Sequence, residues 1–268
     1  MSDLARVVSL HSYPIKGCAG TSHSVATVDR RGLAFDRAWM ITDGDGQFVT
    51  QRQAPRLALI TPTLEREQLN VQIVGVGAVT VPLETMSSGT KLVTVWGDRC
   101  VARDEGDDVA ALLREHLGQT ARLVRMSERH VRAVPGSNAQ TGFADAFPLL
   151  VISTSSLADV NARIVDRGGQ AVAMERFRPN VVVDGCEAYA EDRWADVMVG
   201  DVALTMAGPC ERCTVTTVDQ ASGTVTAGGE PLATLATYRR GRDGVVFGQN
   251  AVHRGAGTIA VADTVRSA

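Results

Sequence analysis

The sequence has no apolar run approaching the ~20 residues that a membrane-spanning helix needs. Its opening, Met1 to Arg6, lacks the basic and apolar stretches of a secretory leader. Neither charge is in excess: 27 basic and 30 acidic residues leave a formal net charge of −3. That balance excludes a general affinity for nucleic acid or an anionic membrane, so any hold on an anion must come from local placement of arginine and lysine. Aromatics make up only 4% against 44% hydrophobic residues, so the core is aliphatic. Cysteine is sparse and odd in number: five thiols stand at Cys18, Cys100, Cys186, Cys210 and Cys213. They form no disulfide framework and suit a reducing compartment. A cytoplasmic protein, without a membrane or nucleic-acid partner, is the expectation.

Several motifs are missing as well. There is no Gly-x-Gly-x-x-Gly after a strand, no His-Glu-x-x-His and no Gly-x-Ser-x-Gly. Ser88-Gly89-Thr90-Lys91 has the wrong order for a phosphate-binding P-loop. One Cys-x-x-Cys without a second cannot build a local four-thiolate zinc site. Three scattered cysteines do not complete an iron–sulfur centre. Any redox chemistry would therefore draw electrons from another molecule.

A chain of 268 residues holds one large domain or two small ones. Short β-prone runs dominate its first third, at 6–10, 38–42, 48–51, 58–63, 70–74, 78–83 and 91–96. Asp43-Gly44-Asp45-Gly46 reads as turn chemistry rather than a calcium loop. The spacing predicts a helix over 107–117, with Val109, Leu112, Leu113 and His116 on one face. Residues 127–143 read as a long polar loop, and a boundary in or just before it separates units 1–125 and 126–268. A second helix is expected over 153–167, capped by Ser153, Thr154 or Ser155. Strands are expected at 181–183, 197–206, 214–218, 224–227, 245–249 and 257–261. The fold class is α+β and β-rich, with barrel-like sheets and a few helices.

Four segments have the residue types for chemistry. In Tyr13-Pro14-Ile15-Lys16-Gly17-Cys18-Ala19-Gly20, a lysine followed by small residues lets backbone N–H groups approach an anion. In the second, Asp36 and Arg37 precede an apolar strand, where Asp36 either orients an arginine or forms a structural pair with it. The third, Arg176-Phe177-Arg178-Pro179-Asn180, reads as extended, with both guanidinium groups on one face. Two arginines beside an amide suit a phosphate or oxyanion; a surface edge strand is the other reading. The fourth is Cys210-Glu211-Arg212-Cys213. The run Thr214-Val215-Thr216-Thr217-Val218 after it reads as a strand, so Cys213 would sit at a strand entry with Arg212 favouring its thiolate. A rigid single thiolate suits a thiophilic metal.

Taken together, these segments resemble the MOSC family, the molybdenum cofactor sulfurase C-terminal domain proteins. The first two look like the family's N-terminal β-barrel domain. The third and fourth look like the MOSC domain proper, as do 194–201, Phe247-Gly248-Gln249-Asn250 and Gly257-Thr258-Ile259. The pattern is most similar to the amidoxime-reducing branch of the family. The resemblance implies β-barrels holding one pyranopterin molybdenum cofactor (Mo-molybdopterin), with Cys213 ligating the metal and Cys210 not. It implies that Lys16, Arg37, Arg178 and Asn180 hold pterin and phosphate, with Arg212 beside the cofactor. Gly17, Ala146 and Phe147 fall at cofactor-contacting positions where only their backbone can serve. Asp145 matches a family aspartate near the metal and is the candidate proton relay.

The function implied is a molybdenum-dependent reductase of N-hydroxylated substrates such as amidoximes and hydroxylamines. Electrons would come from a separate donor, a ferredoxin, flavodoxin or cytochrome b5-like protein with its reductase. The alternative is a carrier of sulfur or of the cofactor, with a persulfide or the cofactor on Cys213. A third reading is a small-anion-binding barrel whose cysteine pair is structural.

Overall fold

In the computed structural model, which describes residues 3–65, 67–84 and 89–268, seven strands close into a barrel. Its order is Val181–Asp184, Leu149–Ser153, Val245–His253, Val202–Arg212, Asp196–Val199, Thr264–Ser267 and Asp3–Ser12, which pairs back onto Val181–Asp184. Alternate residues point inward, as a strand's period of two requires. Val181 and Val183, Val197 and Val199, and Val202 and Leu204 thus fill the interior with Leu149, Ala251 and Val265. Along Asp3–Ser12 the inward set runs Ala5, Val7, then Leu10. The change of parity falls at a register shift between Val7 and Ser9, where a bulge inserts one residue. The barrel thus takes one strand from the start of the chain and six from beyond residue 126.

Only one barrel pair is parallel, Leu149–Ser153 with Val181–Asp184. A parallel return needs a crossover, and helix Thr154–Asp166 lies within it. Ser153 caps that helix by accepting the Ser156 N–H at 3.1 Å. Val160 and Ile164 of the helix pack against Phe177, Leu235 and Phe247.

The remaining N-terminal chain forms smaller sheets. Trp39–Thr42, Arg122–Met126, Asp98–Asp104 and Thr90–Val95 make one; Ile60–Glu65, Gln68–Ile73 and Gly77–Pro82 make a meander. Helix Asp107–Leu117 lies at the predicted bounds and buries Val109, Leu112 and Leu113. His116 is buried with them, and its Nε2 sits 2.9 Å from the Arg56 carbonyl oxygen. Asp43 is turn chemistry, its Oδ1 accepting the N–H groups of Asp45 and Gln47 at 3.0 and 2.9 Å. No helix among the described residues is long and apolar enough to cross a membrane.

Two strand expectations need correction here. Residues 48–51 are not a strand; only isolated bridges form, at Gln47 and Phe48. Residues 197–206 are a hairpin, Asp196–Val199 and Val202–Arg212, turning at Gly200 with φ +55°. The left-handed φ favours glycine, and a Cβ there would press on the Asp263 carboxylate and lie 3.3 Å from the Thr258 carbonyl oxygen.

One ion cluster secures the N-terminal sheet. Asp104 is buried and accepts from Arg122 Nε at 2.8 Å and from Lys91 Nζ at 2.7 Å. Burial raises its carboxyl, but Arg122, Lys91 and the Gly106 N–H outweigh this and bring its pKa down from 3.8 to about 2. A carboxylate depressed in the folded state stabilises above its unfolded pKa and loses that contribution as pH falls. Between pH 4 and 2 this residue should cost the fold about 2 kcal/mol. Denaturant unfolding across that range should show the slope, and D104N should flatten it.

Candidate functional site

Between the barrel and the N-terminal sheets lies a cleft of about 960 Å³, counting its open mouth. All ten residues singled out from the sequence line it: Lys16, Gly17, Arg37, Asp145, Ala146, Phe147, Arg178, Asn180, Arg212 and Cys213. Five cations, Lys16, Arg37, Arg52, Arg178 and Arg212, face two carboxylates, Asp145 and Glu211.

The two central arginines are aimed by unusual backbone. Arg37 has φ +48° and Arg178 φ +57°, a region that L residues rarely occupy and that costs roughly 1–3 kcal/mol each. Tertiary bonds hold them there. The Arg37 N–H donates to the Tyr13 carbonyl at 2.9 Å, and its own carbonyl accepts from Phe143 N–H at 2.7 Å. Its guanidinium pairs with buried Asp36 at 2.5 Å and donates to Asn180 Oδ1 at 3.2 Å. The Asp36 carboxylate therefore does orient Arg37. Arg178 Nη1 donates to the Cys18 carbonyl at 2.7 Å, whereas its Nη2 is buried without a partner. Burial, and then the charge of Arg37, push the Arg178 guanidinium down to about 10. It stays cationic at neutral pH.

Asn180 serves chiefly to join elements. Its Oδ1 also accepts the Leu150 N–H at 3.1 Å, and its Nδ2 donates to the His11 carbonyl at 3.1 Å. Lys16 also lines the cleft, paired with Asp145. Burial pushes its ammonium down against the pull of that carboxylate. Desolvation raises the Asp145 carboxyl, but Lys16 and the Trp96 indole N–H, at 2.9 Å, hold it well below the usual carboxylate range. Asp145 is thus ionised at neutral pH. Gly17 has φ +80°, and Gln51 Nε2 donates to its carbonyl at 2.7 Å.

Three expectations about the cysteine and arginine segments change. Cys213 does not enter a strand: Val202–Arg212 ends just before it and a 3₁₀ turn, Thr214–Thr217, follows. The threonine hydroxyls explain this. Thr216 and Thr217 donate to the carbonyls three residues back, at 3.0 and 2.7 Å, satisfying a turn instead of a sheet. Cys213 is exposed on the cleft wall. Arg212 gives its terminal nitrogens to other partners: Nη1 donates to Cys210 Sγ at 2.9 Å and Nη2 to the Phe177 carbonyl at 2.6 Å. Arg176 and Arg178 do not share a face, because Met174–Arg176 is a 3₁₀ turn and Arg178 is left-handed. Arg176 instead braces the chain after Cys213, donating to Thr217 O at 3.2 Å and pairing with Asp219 at 3.0 Å.

Sequence reading passed over Tyr13, Gln51 and Arg132. Arg132 lies in the long loop and donates to the carbonyls of Gly142 at 3.0 Å, Ala144, and Asp145 at 3.0 Å, while Nε pairs with Asp98 at 2.7 Å. It thereby fixes the backbone that presents Asp145, Ala146 and Phe147. Nothing local distinguishes it from a solvated loop arginine. Arg132→Ala should cost roughly 3 kcal/mol, the scale for breaking a buried charged network. Thermal unfolding of the purified variant checks this.

The donor set fits a phosphorylated metal cofactor. Arg178 Nη2 and Arg212 Nε are buried donors without acceptors, and a buried cation lacking a full counter-charge favours an anion. Among the described residues no cluster of three or more His, Cys, Asp or Glu could hold a metal alone. A metal at Cys213 would have to arrive with ligands of its own.

Comparison with known proteins gives a consistent result. The family model described as the MOSC N-terminal beta barrel domain matches residues 4–120, and that of the MOSC domain matches 138–266. Mitochondrial amidoxime-reducing component 1 of Mus musculus is 36% identical over 99% of this chain and 83% of its own. Mitochondrial amidoxime reducing component 2 of Rattus norvegicus is 36% identical over 89% of this chain and 74% of its own. Molybdenum cofactor sulfurase of Oryza sativa subsp. japonica is 30% identical over 90% of this chain, but over only 31% of the sulfurase.

Proposed function

This chain belongs to the MOSC family, and from that premise we propose that it is a molybdenum-cofactor-dependent reductase of N-hydroxylated compounds. A molybdenum-cofactor-related function comes with the family; the reductase assignment rests on the amidoxime-reducing relatives, similar over nearly the whole chain. The observation that supports it best is the gathering of Cys213, Arg178, Arg37 and Lys16 around one cleft with unpartnered buried donors.

When bound, the pyranopterin group supplies two-electron oxygen-atom chemistry at molybdenum. The Cys213 thiolate would hold the metal. Arg37 and Arg178, with Lys16, would hold pterin and phosphate; a phosphomonoester carries about −2 charge at neutral pH. Each charge-assisted hydrogen bond contributes roughly 1.5–3 kcal/mol. Arg212 would lie beside the group, and the backbone at Gly17, Ala146 and Phe147 would present N–H and C=O groups to it. Asn180, its side chain tied to three elements, would set the positions of Arg37 and the adjoining strand. Asp145, held ionised by Lys16 and the Trp96 indole, is a poor proton acceptor in this arrangement and would serve as a relay only with that pairing broken. A separate protein, a ferredoxin, flavodoxin or cytochrome b5-like donor with its reductase, would deliver electrons.

Protein made in a cofactor-competent host should contain about one molybdenum and one pterin per chain, and should reduce benzamidoxime with reduced viologen as donor. Metal-free protein with a persulfide on Cys213 would favour the carrier reading, which the rice sulfurase keeps in view.

A further inference from the structure

The phenol ring of Tyr13 lies within cation–π distance of both strained arginines. Its ring centroid is 4.3 Å from the Arg37 guanidinium carbon and 4.1 Å from that of Arg178. The ring is buried and fixed on every polar side. Its hydroxyl donates to the Pro179 carbonyl at 3.1 Å, and its backbone N–H donates to Asp36 Oδ1 at 2.7 Å. Gly20 packs against it so closely that a Cβ there would lie 2.6 Å from Cε1 of the ring. Two guanidinium groups near one another repel, and among the described residues only Arg37 of the two has a carboxylate partner, Asp36. A negative ring face attracts cations without consuming their N–H donors. A carboxylate in the same place would neutralise the pair and compete with an incoming anion.

We propose that Tyr13 is a positioning residue of the anion site. Its ring holds Arg37 and Arg178 together, still charged and with Arg178 Nη2 unengaged, so that the pair can grip a dianionic phosphate ester. This deepens the cofactor reading given above and rests on it. Burial pushes the Tyr13 hydroxyl up to about 12, so the ring stays a neutral phenol throughout the working range. The ring face, not the hydroxyl, is therefore the group that matters to the arginines.

The test uses the full chain without cofactor and inorganic phosphate as probe, read by calorimetry and by the tyrosine near-ultraviolet difference spectrum. Tyr13→Phe keeps the ring and should bind phosphate within about twofold of the parent. Tyr13→Leu removes the ring and should bind at least about tenfold more weakly, the scale of a desolvated cation–π contact. Equal binding by Tyr13→Leu, or an equal loss in Tyr13→Phe, overturns the proposal. If Tyr13→Leu does not fold, Gly20→Ala keeps every charge and displaces the ring; it should weaken phosphate binding, and parental binding overturns the proposal. Molybdenum content of the loaded parent reports separately on the cofactor reading. A parent that binds phosphate but never retains molybdenum defeats that reading and leaves the role of Tyr13 standing.

Discussion

Replacing Cys213 with alanine should abolish amidoxime reduction and leave the fold untouched. Cys213 is exposed on the cleft wall, and its backbone already ends one strand and begins a turn through hydrogen bonds that do not involve sulfur. Substitutions of exposed side chains away from special features usually shift stability by no more than about 0.5 kcal/mol. The effect on chemistry is of another order. Loss of an outer partner of a bound metal costs roughly 10–100-fold in affinity or activity, so loss of a direct thiolate ligand should exceed about a hundredfold. Serine should not rescue, because a hydroxyl is harder than a thiolate and far less acidic. Cys210→Ser offers the internal contrast, since that sulfur accepts from Arg212 and is expected to alter only that arginine's aim. Rate and molybdenum content should fall together in Cys213→Ala and separately from thermal stability. A variant with the parental rate would remove the sulfur from the mechanism.

Replacing Arg178 with leucine should move stability and cofactor retention in opposite directions. The arginine is buried, its Nη2 has no partner, and its neighbour Arg37 carries the same charge. Exchanging a poorly compensated buried charge for an apolar side chain often stabilises, here by about 1–3 kcal/mol in the cofactor-free chain. The left-handed backbone strains either residue alike, so it does not change the comparison. Retention of the phosphorylated group should fall by roughly 10–150-fold, the equivalent of one charge-assisted hydrogen bond. Denaturant unfolding of the cofactor-free protein and molybdenum content after dialysis measure the two effects. A loss of stability in the cofactor-free variant would show that the guanidinium serves the fold instead.

Local order was readable where it obeys local rules. Helix Asp107–Leu117 follows from the spacing of Val109, Leu112 and Leu113 and from acidic residues at its start. The cap at Ser153 and the turn at Asp43 follow from side chains that bond their own backbone. Failures fall where one residue type serves two purposes. The run from Thr214 to Val218 has strand composition, yet its threonine hydroxyls close a turn. Arg178 lies in a run that reads as extended, yet its φ is positive, its side chain donating to the Cys18 carbonyl and its own carbonyl accepting from Arg37.

From the sequence came the β-rich class and the family resemblance, and through that resemblance ten of the residues that line the cleft, because motif chemistry is written in contiguous segments. Tertiary structure alone decided which groups meet. The barrel closes only when the first strand of the chain joins strands from its second half. That closure brings Arg178 against the ring of Tyr13, which Arg37 also contacts. The physical reason is distance along the chain: a contact between residues more than a hundred positions apart depends on packing and barrel closure, which no local propensity encodes.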